Sequence, residues 1–514
     1  MKEVIGSISR TSERRLLAGL IVLAAALRLF HLGAQSLWVD EMMTLTVATP
    51  KPGYPLWQLL RHNIHGPLHT FVVAMFRAVS ENDAWLRLPS ALAGIASVPL
   101  LYAWLKPRFG AGVARWGALL LAVNPLHIHY SQELRNYAFA VVLVLAGSVQ
   151  LDRLLERWSR RRALGFSSCV AAAVLSNFSA CFAFAAQSLV FLKTVRPVRA
   201  AVTRAAGLAA MVLILISPWV YRVTTYVDFG RLATPVLPGQ IDTSQRLRGE
   251  TTFRVESVPY AFYAYSVGFT LGPSLEELHN DAGMGSVWSH HRGPIVWTTL
   301  LFGGLFVLGI LRAGRSSVRG GRRWAAVEPL LYLLIPLAAT LLLNWQNAKA
   351  FNVRYVLIGL PMYLGLVAVG IAALRPRWLT ATAGVLVLAT TAVSLGSHYF
   401  DARYAKEDVR AATRAVESRL APGECIFAPT VWQIVQHYQR TDAPVRYVYR
   451  DPPSLLERQL DDVYASFGSF WYLRARPWVD DADGRVLASI ESRYRRTDVL
   501  QFPGVTAIRF IRKN

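Results

Sequence analysis

Apolar residues along this chain gather in long blocks separated by short polar spacers. Blocks over 16–33, 292–313, 326–344, 355–374 and 378–396 approach or exceed the roughly 17–20 residues that carry a helix across a bilayer core. A water-soluble core would not require so many uninterrupted runs. Further blocks near 88–105, 113–127, 137–152, 164–176, 178–193 and 204–222 bring the expected total to about eleven spans. The stretch 66–79 is apolar but short and carries His69 and Arg77, so it reads as a juxtamembrane helix at the outer surface. The run 164–193 is divided at SNFSA (176–180), the alternative being one long tilted helix. After residue 396 the pattern changes. CIFAP, VRYVY, FWYLRA and VTAIRFI alternate with amphipathic stretches and Pro/Gly/Asp turns, the signature of a small α/β domain. The expected division is therefore a helical membrane domain over 1–396 and a soluble domain over 397–514.

Charge sets the expected orientation. Basic residues fill the spacers: Lys106 and Arg108, then 153–162, 193–204 and 315–323, then Arg375 and Arg377. Cytoplasmic loops carry such an excess of Lys and Arg. Arg10, Arg14 and Arg15 precede the first block, which places the N-terminus in the cytoplasm. Parity then puts loops 34–87, 128–136, 223–291 and 345–354 and the C-terminal domain outside, as for a multi-pass membrane protein. The net charge of +23 is thus spread among loops. A nucleic-acid-binding domain would gather it on one face, so nucleic acid is not an expected partner. Charged residues make up 17% of the chain, against about 25% in soluble proteins. Arg28 interrupts the first block and no small-residue cleavage site follows, so an uncleaved helix is expected, with Arg28 snorkelling to the surface. Cys169, Cys181 and Cys425 suggest no disulfide framework.

On this topology four polar segments face the same side: SLWVDEMMT (36–44), RHNIHGPLH (61–69), HIHYSQELRNY (127–137) and WQNAKAFNVRY (345–355). Ionisable groups at the mouth of an apolar bundle are costly and therefore candidates for function. Asp40 and Glu41 form an acidic pair, which could also simply cap a helix. Arg354 could likewise be an interfacial anchor. His62, His65 and His69 are irregularly spaced around Gly66–Pro67, so a metal site is not expected.

LAAALRLFHLGAQSLWVDEMMTL (23–45), HGPL (65–68), LRLPSALAG (86–94), NPLHIHYSQELRNYAF (124–139), FNVRYVLIGLP (351–361) and YAKEDVRAA (404–412) occur in this order. Together they resemble the protein O-mannosyltransferase and aminoarabinose-transferase-like superfamily of bacterial membrane glycosyltransferases, over roughly 16–412. This sequence departs from that pattern at Gly66, where the family has proline, and at Val409, where many relatives have tryptophan. The resemblance implies a GT-C fold: a polytopic α-helical membrane protein with a small extracytoplasmic α/β domain. It also implies a polyprenyl-phosphate-linked sugar donor, a glycan, lipid or protein acceptor, and no required cofactor. An acceptor hydroxyl needs a base, for which Asp40 is the candidate, with Glu41 supporting and Glu133 as a further carboxylate. The departing lipid phosphate needs cationic donors, for which Arg135, Lys349 and Arg354 are the candidates. His65, His69 and Tyr137 are candidates for contacting acceptor or sugar. Two rival readings are a lipid-linked glycan polymerase or ligase, and a transporter or flippase of lipid-linked intermediates. A transporter should show inverted repeats or broken midplane helices, and the sequence has no such pair.

Overall fold

The computed structural model describes residues 2–50, 66–226, 257–274, 277–278, 284–316, 327–345, 351–448, 453–481 and 483–513. The helical part begins with α1 (Lys2–Leu29), α2 (Val39–Ala48), α3 (Pro67–Arg77), α4 (Asp83–Val123), α5 (Pro125–Ser131) and α6 (Tyr137–Glu156). It continues with α7 (Arg160–Ser176), α8 (Ala180–Thr194), α9 (Val198–Tyr226) and α10 (Ser257–Val267). Then come α11 (Met284–Thr298), a π-turn (Thr299–Gly303) and α12 (Gly304–Ser316), followed by α13 (Val327–Trp345), α14 (Leu360–Ala373) and α15 (Arg377–Phe400).

The chain is a multi-pass membrane protein. Six stretches of helix are long and apolar enough to cross a bilayer among the described residues, fewer than the eleven spans expected. The difference lies in three short helices, in the turn at Gly110 that leaves two blocks in one run, and in α1, whose residues 12–29 carry Glu13, Arg14, Arg15 and Arg28. The helices α7, α8 and α14 run 17, 15 and 14 residues. The two blocks expected at 88–105 and 113–127 are two helices within the α4 run, parted at Gly110. The run folds back there, since a Cβ on Gly117 would lie 2.3 Å from Leu105 Cδ1. It bends at Gly110, whose φ of +84° only glycine takes up without strain. Asn82 caps its start by accepting the N–H groups of Ala84 and Trp85, and Asn124–Pro125 ends it. The run 164–193 is two helices, parted at Asn177–Ser179.

Two charged residues do not behave as expected. Arg28 does not snorkel but is fully buried. It donates to the Ala122 and Leu121 carbonyls at 2.8 and 3.0 Å, filling the acceptors left open at the end of α4. Arg108 does not lie in a solvated spacer either. It is buried between Asp152 and Glu328, at 2.6 and 2.8 Å, and its guanidinium stacks 4.1 Å from the Trp104 ring. It thereby ties α4 to α6 and α13.

Close packing elsewhere relies on glycine. A Cβ on Gly309 of α12 would lie 1.9 Å from the Leu366 carbonyl oxygen, and one on Gly370 of α14 would lie 2.0 Å from that of Leu305. Small residues let membrane helices approach in this way. Gly66 is a similar case: a Cβ there would sit 2.0 Å from the Leu175 carbonyl oxygen, so the departure from the family's proline matches a tight contact between the start of α3 and the end of α7.

The C-terminal domain contains α16 (Val409–Glu417), β1 (Cys425–Phe427), α17 (Trp432–Tyr438), β2 (Val445–Arg446), α18 (Pro453–Ser466), β3 (Ser469–Ala475), α19 (Pro477–Asp480), α20 (Arg485–Arg493), β4 (Tyr494–Phe502) and β5 (Val505–Arg512). Its sheet has the order β2-β1-β3-β5-β4, parallel among the first three strands and antiparallel thereafter. Alternation along β3 sends Phe470 and Tyr472 to one face, against α18 and α20, and Trp471 and Leu473 to the other, against α16 and α17. Both faces are thus covered.

Candidate active site

The helix α2 is only ten residues long and owes its position to its second acidic residue. Glu41 reaches back to accept the Trp38 N–H at 3.3 Å and points into the protein, where it is fully buried. Arg87, near the start of α4, grips it with two bonds of 2.8 Å, and the Leu134 N–H adds a third at 2.7 Å. The same guanidinium donates to the carbonyls of Leu32, Gln35 and Ser36, fixing the turn between α1 and α2. Lys406, in the segment entering the C-terminal domain, lies 3.4 Å from Glu41 and 3.0 Å from Glu133. Glu133 follows α5, is 1% exposed, and also meets His129 at 3.3 Å. Burial alone would push both carboxyls up. Arg87 and Lys406 outweigh it at Glu41, Lys406 and His129 at Glu133, and both are held below the usual carboxylate range.

Asp40 sits about 100° round the helix from Glu41 and faces a different set of groups. Arg354 donates to its Oδ2 at 2.6 Å, and Arg135 lies 3.9 Å from the same oxygen. The two arginines are mounted differently. Arg135 is anchored to the Asp40 carbonyl, to Thr44 Oγ1 and to the Tyr137 hydroxyl at 3.0, 2.8 and 3.3 Å. Arg354 rides on a 3-10 turn, Val353–Tyr355, capped by the Asn352 side chain. The Nε–H groups of both are buried and have no hydrogen-bond partner among the described residues. The Tyr137 ring lies 5.6 and 6.0 Å from the two guanidiniums. Asp40 and Arg354 remain accessible, each with 22% of its side chain exposed.

Of the residues picked out from sequence, Asp40, Glu41, Glu133, Arg135, Tyr137 and Arg354 come together here. His69 is buried on α3, its ring 5.2 Å from that of Phe139. His65 and Lys349 lie outside the described residues. The structure adds Arg87, Lys406, His129 and His398. With His31 and Gln35 they line a cavity of about 50 Å³ beside Glu133. Arg87, His129 and Lys406 each stand inside a segment already quoted for the family resemblance, so that was the available signal. Among the described residues no group of three or more His, Cys, Asp or Glu side chains is arranged to hold a metal ion.

A family model described as dolichyl-phosphate-mannose-protein mannosyltransferase matches residues 64–221. A 92-residue stretch is 34% identical to YycA of Bacillus subtilis (strain 168), named as a mannosyltransferase, and covers 18% of this chain and 13% of that protein. The whole fold is similar to the crystal structure of ArnT from Cupriavidus metallidurans in the apo state. There the TM-score is 0.60 at 11% identity, with 96% of this chain and 97% of ArnT covered. ArnT bound to undecaprenyl phosphate gives a TM-score of 0.55 at 11% identity, over the same shares of the two chains. The archaeal oligosaccharyltransferase AglB from Archaeoglobus fulgidus, in complex with an inhibitory peptide and a dolichol-phosphate, gives 0.51 at 13% identity over 97% of this chain and 74% of AglB. At these identities the structural likeness shows the fold.

Proposed function

We propose that this chain is a membrane glycosyltransferase of the GT-C superfamily that moves a sugar from a polyprenyl-phosphate donor to an acceptor hydroxyl or amine at the outer face of the cytoplasmic membrane. The observation that carries the reading is the Asp40–Arg354–Arg135 group. It brings together an accessible carboxylate and two permanently charged planar donors with an N–H to spare on each. A lipid-linked phosphate seated on the two guanidiniums would draw Arg354 away from Asp40. The freed carboxylate then takes the proton of the acceptor as its oxygen or nitrogen bonds to the anomeric carbon. The bond from that carbon to the phosphate oxygen breaks, and the negative charge left on the lipid phosphate falls on Arg135 and Arg354. Glu41 and Glu133 are closed off by their partners and serve to hold the frame. The undecaprenyl phosphate and dolichol-phosphate seen with ArnT and AglB support a donor of this class. We take loops 34–87, 128–136, 223–291 and 345–354 and the C-terminal domain to be extracytoplasmic.

Purified full-length protein, incubated with a panel of labelled polyprenyl-phosphate sugars and cell-envelope acceptor fractions, tests this. Transfer of label with release of polyprenyl phosphate is expected for one donor class. Binding of the donors without any transfer would favour a transporter instead.

A further inference from the structure

The C-terminal domain is joined to the helical part by the segment after α15, and it docks on the turn that leads to α2. Ser36 Oγ donates to the Glu407 carbonyl at 2.7 Å, and the Leu37 N–H to the Tyr438 hydroxyl at 2.8 Å. Tyr438 and Arg410 both bond Asp83, at 2.6 and 3.0 Å, at the first residue of α4. The Trp38 ring is flanked by Lys406 and Arg476, 5.7 and 5.6 Å from its centre. This seam delivers the Lys406 ammonium between Glu41 and Glu133, two buried carboxylates from α2 and from the segment after α5.

The charges around the site then divide into two groups. Glu41 and Glu133 stand against Arg87 and Lys406, which cancels, with the His129 imidazole 3.3 Å from Glu133 beside them. Asp40 stands against Arg135 and Arg354, which leaves one surplus positive charge among the described residues. The groups are neighbours: Glu41 follows Asp40, and Glu133 and Arg135 are two residues apart, so their Cα atoms lie within about 7 Å. At that range salt screens little of their interaction. Without Lys406, the buried pair would carry an unbalanced negative charge facing the surplus positive one.

We propose that the C-terminal domain sets the charge of the donor-phosphate site, with Lys406 as the residue that cancels Glu133 and Glu41 and so leaves the adjoining arginines free to attract an anion. Lys406 acts through those carboxylates and not on the substrate, so it is a positioning residue. The inference rests on the donor-phosphate reading above and gives the C-terminal domain a part in it.

Binding of a polyprenyl phosphate in detergent micelles to the full-length protein at fixed pH tests the sign of the effect. Lys406→Met should weaken binding roughly tenfold, the size expected for one unit charge at about 8–10 Å in a medium of intermediate dielectric. Glu133→Gln should tighten binding. The double variant Lys406→Met/Glu133→Gln should return close to the wild type. A seam that serves only to hold the fold together predicts weaker binding for all three. Glu133→Gln that binds no tighter than the wild type overturns the proposal, and this variant decides even if Lys406→Met does not fold. The two readings fail separately. If the wild type shows no saturable binding, the donor reading falls and this inference with it. If Arg354→Ala abolishes binding while Glu133→Gln leaves it unchanged, this inference alone falls.

Discussion

Arg354 reaches Asp40 from a 3-10 turn more than three hundred positions along the chain, with the Tyr137 and Tyr355 rings 6.0 and 5.4 Å from its guanidinium. Its bond to a part-exposed carboxylate can be exchanged for one to a phosphate. Hydrogen bonds to charged groups contribute roughly 1.5–3 kcal/mol, so Arg354→Ala should lower kcat/KM for the donor by about tenfold to a hundredfold. Arg354→Lys should recover only part, because an ammonium cannot present a planar fork. Donor kinetics on monodisperse protein check this, and an unchanged kcat/KM would return Arg354 to the role of an interfacial anchor. The acidic pair, Arg135 and Arg354 were legible because each sits in a polar segment at the end of an apolar block. Arg87 and Lys406 were not singled out. One lies in the first turns of a long apolar helix and the other beyond the last span, and only the fold brings them to Glu41. Arg28 misled for a related reason: the acceptors that bury it belong to α4, far along the chain.

At the scale of elements, the α12–α14 crossing is where a single methyl group should cost most. Gly309→Ala or Gly370→Ala pushes a Cβ into a facing backbone carbonyl, and overpacking of this kind costs about 1–3 kcal/mol. Gly304→Ala, in the same helix with nothing within 4 Å of the added carbon, should cost far less. Thermal unfolding of the detergent-purified variants compares them, and an equal loss at Gly304 would contradict the packing. The docking of α2 makes a second prediction. Glu41 and Glu133 are held below the ordinary carboxylate range, so the stability they contribute is present above the unfolded value of about 4.3 and is lost as pH falls through the folded one. The unfolding temperature should fall below about pH 5. In Lys406→Met the folded values move up toward the unfolded one, so the fall should be shallower, and identical profiles would break the link. Four of the five strands were readable from their apolar alternation. The exception, β4, is an edge strand whose Arg495 and Arg496 face solvent and whose pairing shifts register between Arg496 and Asp498, so it carries no clean period of two.

For the whole molecule, the helical membrane class and the small C-terminal α/β tail followed from the sequence pattern; against eleven expected crossings, six stretches of helix among the described residues are long and apolar enough to span. Hydropathy alone does not say whether a short apolar helix such as α8 crosses the bilayer. Orientation is open to direct measurement. In a background lacking Cys169, Cys181 and Cys425, single cysteines at the exposed positions 81 and 418 should react with an impermeant reagent from outside, and one at 157 only from the cytoplasm. The reverse pattern would put the candidate site on the wrong face for an outer-leaflet donor. The central claim is that Asp40 deprotonates the acceptor while the arginines hold the lipid phosphate. Its most direct test compares donor binding and sugar transfer in Asp40→Asn, which keeps the shape of the side chain but cannot accept the proton. The account predicts donor binding within a few-fold of wild type and transfer reduced by about 10²–10⁴, the usual loss of a general base. Transfer at the wild-type rate would contradict it.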